Sequence, residues 1–152
     1  VGEPYDRNLV DQVQSYIRQH QIGSQVTCYP PVDHRQMPVF LAGFDAFIHP
    51  SCHSASGDHE ATPVVLLEAQ ATGLPVLATR HFDLADEVQD GYSGYLVEEY
   101  DAPALAEKVR ALYAMPEKQF LQMQKNARNW VENRFTVQQS AEALEKIYLE
   151  LI

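Results

Sequence analysis

The chain has little cysteine, little positive charge and no long apolar run, and each shortage excludes a class of protein. Its two cysteines, Cys28 and Cys52, stand far apart and form no Cys-x-x-Cys pair, which indicates a reducing compartment rather than a disulfide framework. The 21 acidic residues outnumber the 11 basic ones and leave a net charge of -10, so nucleic acid is not expected as a partner. No apolar stretch reaches the roughly 20 residues of a membrane-spanning helix.

What is present suits a folded domain. Hydrophobic residues make up 45% of the 152 positions, which is enough for one core in a domain of ordinary size. The chain begins with Val-Gly-Glu rather than Met, and these residues look like the end of a strand. We therefore expect residues 1–152 to form a single domain excised from a longer chain, with a first strand that begins upstream of Val1.

Apolar periodicity predicts helices and strands that alternate along the chain and end in a helical tail. Apolar residues spaced three and four apart predict helices, and short unbroken apolar runs predict strands buried on both faces. This alternation is typical of a doubly wound parallel α/β sheet. The predicted helices are 5–21, 34–43, 64–72, 83–88, 104–115, 117–133 and 137–151, and the predicted strands are 26–30, 45–51, 75–79 and 92–97.

The stretch HPSCHSASGDHEATPVVLLEAQATG, residues 49–73, joins a polar half to an apolar half. The polar half holds possible metal ligands but lacks the paired short spacings of structural zinc sites, so we expect no metal there. A solvated polar loop and a metal-binding loop stay open as alternatives. The possible ligands are His49, Cys52, His53, Asp58, His59 and Glu60.

A helix is predicted to begin where the apolar half starts. Thr62 suits the N-cap and Pro63 the first helical position, which leaves the amides of Val64 and Val65 unpaired. Such a helix end attracts phosphate through its N–H groups and the positive end of the helix dipole. In a doubly wound sheet this loop follows the carboxyl end of a strand, where ligands bind.

Glu68 is a carboxylate in a helix that is otherwise apolar nearly all round and is therefore expected to be buried. A buried carboxylate without a partner is costly, so Glu68 either pairs with an arginine or a backbone amide, or accepts hydrogen bonds from the hydroxyls of a ligand. Glu60 and Glu68 together could line one crevice, which suits a polyhydroxylated ligand. His81, at the end of the predicted strand 75–79, is expected to face the same crevice and to reach a phosphate.

The spacing of Glu60 and Glu68 resembles the EX7E region of glycosyltransferase family 4 (group 1), whose members have the two-domain GT-B fold. The stretch HFDLADEVQDGYSGYLVEEYDAPALAEKV is similar to a segment of that family in which DG-x-SG-x-LV precedes an aspartate and Leu-Ala. VGEP resembles the family's early glycine turn, and DAFIHPS the strand before its sugar loop. The resemblance covers nearly the whole chain, with the motifs in the right order.

The resemblance implies the C-terminal, donor-binding half of a GT-B fold, a Rossmann-like doubly wound parallel sheet with a C-terminal helical tail. It implies a retaining hexosyltransferase that moves a sugar from a UDP-, GDP- or ADP-sugar to a saccharide or lipid-linked acceptor in polysaccharide or glycoconjugate biosynthesis. The N-terminal domain of the same enzyme would complete the cleft, and this half alone would be inactive. No cofactor and no metal are implied, and the expected location is the cytoplasm or the inner face of the membrane.

The resemblance also implies roles for particular residues. Glu60 would contact the hydroxyls of the donor sugar at the reaction centre, and Glu68 would hold the ribose hydroxyls. The backbone of Ala61, Thr62, Pro63, Val64 and Val65 would cradle the sugar and phosphates, and Tyr29, Pro30 and Val32 would flank the base.

The chain departs from the family's pattern in three respects. The Arg and Lys that neutralise the diphosphate in many members have no counterpart in residues 1–152, because the segment that carries them is expected upstream of Val1. Ala61 stands where many members have Gly, and Phe82-Asp83 stand where many have Gly-Gly. Other classes stay open: a non-transferase relative such as a nucleotide-sugar epimerase or a phosphorylase, a receiver-type signalling module, and a metal-binding module that uses the histidines of residues 49–60. The acidic pair Glu98-Glu99 is expected to be a solvated loop.

Overall fold

The computed structural model describes residues 7–53 and 63–151, and their contacts divide the chain into two compact units, Val1–Phe40 and Leu41–Ile152. In the first unit, helix α1 spans Arg7–Gln19, close to the predicted 5–21. A 3-10 turn at His34–Gln36, capped by the side chain of Asp33, runs into helix α2, Met37–Leu41. The two together match the helix predicted over 34–43.

The strand predicted over 26–30 is wrong. These residues have no regular secondary structure, and no strand pairs with them in the part of the chain that the structure describes. A strand needs a neighbour to pair its N–H and C=O groups, and Pro30 has no N–H to offer. Apolar and β-branched composition alone therefore did not decide the conformation here.

The second unit is built on a parallel sheet. Its strands are β1, Phe47–His49, β2, Val76–Thr79, and β3, Gly94–Val97, in the order β1-β2-β3. Ile48 lies opposite Leu77, and Leu77 lies opposite Tyr95. Helix α3, Val64–Ala71, connects β1 to β2, and the short helix α4, Leu84–Glu87, connects β2 to β3.

Burial differs between the centre and the edge of this sheet. Every residue of the central strand β2 is buried, as predicted for a parallel strand covered on both faces. The prediction that residues 45–51 form an equally buried strand is wrong, because Ile48 in β1 is 45% exposed. β1 lies at an edge of the described sheet, with a neighbour on one side only.

Three further helices follow the sheet. They are α5, Ala102–Tyr113, α6, Glu117–Glu132, and α7, Val137–Glu150, and all agree with the predicted tail. Leu77 of β2, Leu112 of α5 and Met123 of α6 form a buried cluster, and α3 packs against α6. The side chain of Thr136 accepts from the backbone of Gln139 in a capping box that begins α7.

Glycine is required where β3 begins. A Cβ atom added to Gly94 would lie 1.9 Å from the carbonyl oxygen of Val76, its partner in β2. No rearrangement of a side chain relieves this contact, because the obstacle is backbone. Gly94 therefore fixes the register between β2 and β3 at the amino end of the sheet.

Candidate functional site at the carboxyl edge of the sheet

The carboxyl edge of the sheet consists of the residues that directly follow the three strands: 50–53 after β1, 80–83 after β2 and 98–101 after β3. The strands are parallel, so all three segments lie at the same edge. Helix α3 returns the chain from this edge to the start of β2, and its amino end therefore begins on the same side. The chain topology thus brings the predicted anion-binding helix end and the predicted His81 position to one edge.

Helix α3 begins one residue later than predicted. Pro63 is the N-cap, with extended backbone angles and no side-chain cap, and the first helical residue is Val64. The sequence had favoured Thr62 as the cap and Pro63 inside the helix, which is wrong because Pro63 has ψ 100 rather than a helical value. The amides of Val64 and Val65 still belong to the first turn, whose N–H groups have no acceptor within a helix.

The prediction that α3 is buried all round is also wrong. Leu66 and Ala69 are completely buried, but Val64 is 61% exposed, so the helix opens toward solvent at its amino end. Glu68 stands on the second turn and is half-buried, with contacts of its own. An exposed first turn is compatible with access by a ligand, whereas a fully buried one is not.

The remaining predicted site residues fall into two groups. Glu60, Ala61 and Thr62 lie outside the described residues, so their roles stay predictions. Tyr29, Pro30 and Val32 lie in the first compact unit, in the segment without regular structure. The ring of Tyr29 packs edge-on against Phe40 at 5.1 Å, and the proposed contact of this segment with a base stays a prediction.

His81 occupies the carboxyl edge directly behind β2 and is completely buried. Its Nδ1 atom lies 2.7 Å from Oε1 of Glu99, which follows β3. Its Nε2 atom is buried and has no hydrogen-bond partner among the described residues. A buried polar atom without a partner is uncommon and calls for an explanation.

Glu99 also binds His53, which follows β1. The backbone N–H of His53 donates to Oε2 of Glu99 at 2.9 Å, and Nδ1 of the same residue lies 2.8 Å from Oε2. One carboxylate therefore joins the ends of all three strands. The Glu99 side chain is only 15% exposed, so the prediction of a solvated Glu98-Glu99 loop is wrong for Glu99, because its partners hold it inward.

These contacts change the acidity of Glu99. The hydrogen bond with the His53 ring, the backbone N–H of His53 and the hydrogen bond with His81 lower the pKa of Glu99 from 4.5 to about 2. Each partner favours the charged form of the carboxyl group. Glu99 is therefore a carboxylate at every pH at which the protein would act.

Backbone and aromatic contacts complete the cluster. The hydroxyl of Tyr100 donates to the carbonyl oxygen of His53. The N–H and the carbonyl oxygen of His53 are therefore both bound by residues that follow β3. The ring of Phe82 packs on the rings of His53 and His81, with centroid distances of 4.9 and 4.7 Å. Phe82 has φ 41, a left-handed conformation that favours glycine.

A pocket of about 290 Å³ opens beside this cluster. It is lined by residues from the ends of the strands and from the start of α5, among them Pro50, Cys52, Thr79, Tyr100 and Leu105. The hydroxyl of Thr79 donates to the carbonyl of Ser51 and ties β2 to the segment after β1. The carboxyl edge thus combines an open helix end, a cluster of two histidines and a carboxylate, and a concave surface.

The class of protein follows from comparison with known families. The family model described as glycosyl transferases group 1 matches residues 1–130, and the chain belongs to this family. This match confirms the predicted group 1 glycosyltransferase family. The parallel sheet with its connecting helices confirms the predicted α/β fold class.

Individual relatives agree. The chain is 34% identical over 135 residues to WcaL of Escherichia coli K12, a glycosyltransferase assigned to colanic acid biosynthesis. The aligned region covers 89% of this chain and 32% of WcaL. It is 43% identical over 67 residues to the amylovoran biosynthesis glycosyltransferase AmsK of Erwinia amylovora, covering 44% of this chain and 16% of AmsK. The chain therefore spans less than a third of the length of these relatives.

Solved structures support the fold. HepE of Anabaena, crystallised with UDP and glucose, superposes with a TM-score of 0.79 at 22% identity over 95% of this chain and 39% of HepE. At this identity the likeness concerns the fold. Among the described residues, no helix combines the length and the apolar character needed to cross a membrane.

Sequence reasoning missed His53 and Glu99 as partners at this edge. They are 46 positions apart and belong to no shared motif. A signal was present, since each follows a predicted strand and parallel strands end at one edge, but their pairing depends on the exact turn after each strand.

Proposed function

We propose that this chain is the donor-binding half of a retaining glycosyltransferase that takes a sugar from a nucleotide-sugar and transfers it to a saccharide or lipid-linked acceptor. The observation that carries the proposal is the open amino end of α3 at the carboxyl edge, with Glu68 one turn further along the helix. Free N–H groups there suit a diphosphate, and a carboxylate behind them suits the hydroxyls of a ribose.

The donor class is supported by related proteins. HepE of Anabaena was crystallised with UDP-glucose as well as with UDP and glucose, so UDP-glucose is the first donor to test. WcaL, AmsK and the Staphylococcus aureus protein CapM are assigned to the biosynthesis of colanic acid, amylovoran and capsular polysaccharide. We propose a polysaccharide or glycoconjugate as the product, and the N-terminal domain of the same enzyme as the part that binds the acceptor.

The chemical contribution of this half is positioning and charge stabilisation. The anomeric C–O bond to the diphosphate breaks with oxocarbenium character, and negative charge grows on the leaving phosphate. The amides of Val64 and Val65 are the groups proposed to meet that charge, because the ring of His81 is completely buried and held by Glu99. Glu60 is proposed to hold the sugar hydroxyls in the reactive orientation.

Binding by the purified chain tests this proposal. We expect UDP-glucose and UDP to bind weakly, because a single half-cleft with a net charge of -10 attracts an anion poorly. In a nuclear magnetic resonance titration, the amides of Val64 and Val65 should shift saturably. Glu68→Gln should weaken UDP binding about tenfold through lost hydrogen bonds to the ribose.

The exposed Glu107→Gln variant on α5 is the matched control and should bind like the parent. Shifts confined to residues away from α3, or equal affinity of the Glu68→Gln and parent proteins, would contradict the assigned site. Micromolar binding by the chain alone would contradict the idea that it supplies only half of the cleft.

A further inference from the structure

We propose that His53, His81 and Glu99 form a binding site for a divalent transition-metal ion, with Zn²⁺ as the ion that suits the ligands best. Each residue follows a different strand, and one potential ligand atom from each lies within 4.8 Å of the others. This site goes beyond the proposed sugar-nucleotide function and does not depend on it.

The donor set matches zinc chemistry. Two imidazoles and one carboxylate are a known ligand combination for Zn²⁺, and three protein ligands leave a fourth position for water or another ligand. Hard cations such as Mg²⁺ prefer sets made of oxygen atoms. The surplus of ten negative charges on the chain also favours cations over anions.

The three ligands differ in exposure, which gives the site two fixed ligands and a route for an ion from solvent. His81 is completely buried and Glu99 is 15% exposed, whereas the His53 side chain is 58% exposed. An ion can therefore arrive from solvent past His53 and meet two ligands that are already fixed. The backbone N–H of His53 holds Oε2 of Glu99, the kind of second contact that orients a metal-binding carboxylate.

The three side chains are held together by hydrogen bonds, in which a proton lies between Glu99 and each histidine ring. Glu99 lies 2.7 Å from the ring of His81 and 2.8 Å from the ring of His53, and a metal replaces such protons when it binds. Bonds of about 2.0 Å to a tetrahedral ion place ligand atoms about 3.3 Å apart, and this spacing requires rotations of both the Glu99 carboxylate and the exposed His53 ring.

Titration with zinc alone tests the site. Cys28 and Cys52 are exposed free thiols that would compete for zinc, so all variants carry Cys28→Ser and Cys52→Ser. We expect this background chain to bind one Zn²⁺ in a calorimetric titration at pH 7.5. His53→Gln and Glu99→Gln should each weaken the binding about tenfold or more, and His34→Gln, at an exposed histidine in the first unit, should change it less than twofold.

His81→Gln should abolish zinc binding, provided that circular dichroism shows a folded protein. Because His81 is buried, this variant could unfold, and the test then depends on His53→Gln, which changes an exposed residue. Co²⁺ gives a second readout, and the strong visible absorption of four-coordinate cobalt is expected in the background chain and absent from His53→Gln. No saturable zinc binding, or equal affinities of His53→Gln, Glu99→Gln and the His34→Gln control, would overturn the proposal. Either result leaves the UDP titration unaffected, so failure of the metal site and failure of the donor site are distinguishable.

Discussion

The two edges of the parallel sheet differ in chemistry more than in shape. At the amino edge, before β1 and beside the end of α5, a pocket of about 480 Å³ is lined mainly by apolar side chains such as Leu112, Met115 and Phe120. At the carboxyl edge the pocket is smaller, about 290 Å³, but its lining includes Glu98 and Tyr100, the sequence neighbours of Glu99, whose pKa is strongly lowered. The larger cavity is thus less suited to a charged donor, since its lining offers no positively charged group to pair with phosphates.

This difference follows from how a parallel sheet is connected. Each strand delivers its next residues to the carboxyl edge, where loops are free to carry polar groups without disturbing the core. The amino edge receives the chain back from helices and fixes the register, as Gly94 does for β2 and β3. We therefore expect substitutions at the amino edge to have the larger effects on stability, and substitutions at the carboxyl edge to act on binding with smaller effects on stability.

The largest effect is expected at the amino edge, for Gly94→Ala. The new Cβ would overlap the backbone of Val76 at 1.9 Å, so the strands must separate or shift, at a cost of more than about 3 kcal/mol in the free energy of unfolding. Urea denaturation followed by circular dichroism measures the change. Gly23→Ala is the control, because the nearest atom to its Cβ lies at an ordinary 3.9 Å; a Gly94→Ala protein as stable as this control would refute the close contact.

The second prediction concerns pH and the carboxyl edge. Because the pKa of Glu99 falls from 4.5 to about 2 on folding, its charge stabilises the folded state above pH 4.5. That contribution is lost as the pH falls from 4.5 toward 2. Thermal unfolding between pH 6 and pH 3, with a chelator present, should show a steeper loss of stability for the parent than for Glu99→Gln.

Glu98→Gln is the matched control, since Glu98 is the exposed neighbour of Glu99 with 75% of its side chain accessible. It should follow the pH dependence of the parent. Identical profiles for Glu99→Gln and the parent would mean that the cluster does not hold the carboxylate in its charged form.

The fold could largely be predicted from the sequence, and the limits have physical causes. Helices such as α5 and α6 carry their own periodicity and local hydrogen bonds, so their positions were predictable. The segment 26–30 has the composition of a strand, yet its conformation depends on a partner that local sequence does not supply. The start of α3 was displaced by one residue because Thr-Pro favours either of two cap positions.

The candidate site was predictable only where its residues lie close together in the sequence. The helix end at Val64 and Val65, with Glu68 behind it, belongs to one continuous stretch, and His81 follows an unambiguous strand. The contact of His53 with Glu99 depends on the strand register and on two separate turns. Neither is encoded by spacing, which is why Glu99, which was expected to be solvated, lies at the centre of the cluster.

The smallest effect is expected at Phe82, where backbone strain opposes the packing of the aromatic ring on the cluster. Its φ of 41 is a left-handed conformation that costs a residue with a Cβ about 1–2 kcal/mol relative to glycine, while its ring packs on His53 and His81. Phe82→Ala removes the ring and keeps the strain, whereas Phe82→Gly removes both. We expect Phe82→Gly to be more stable than Phe82→Ala by about 1 kcal/mol in urea denaturation. If the alanine variant is at least as stable as the glycine variant, the turn after β2 is not strained, and the phenylalanine at this position needs an explanation other than compensation by its aromatic contacts.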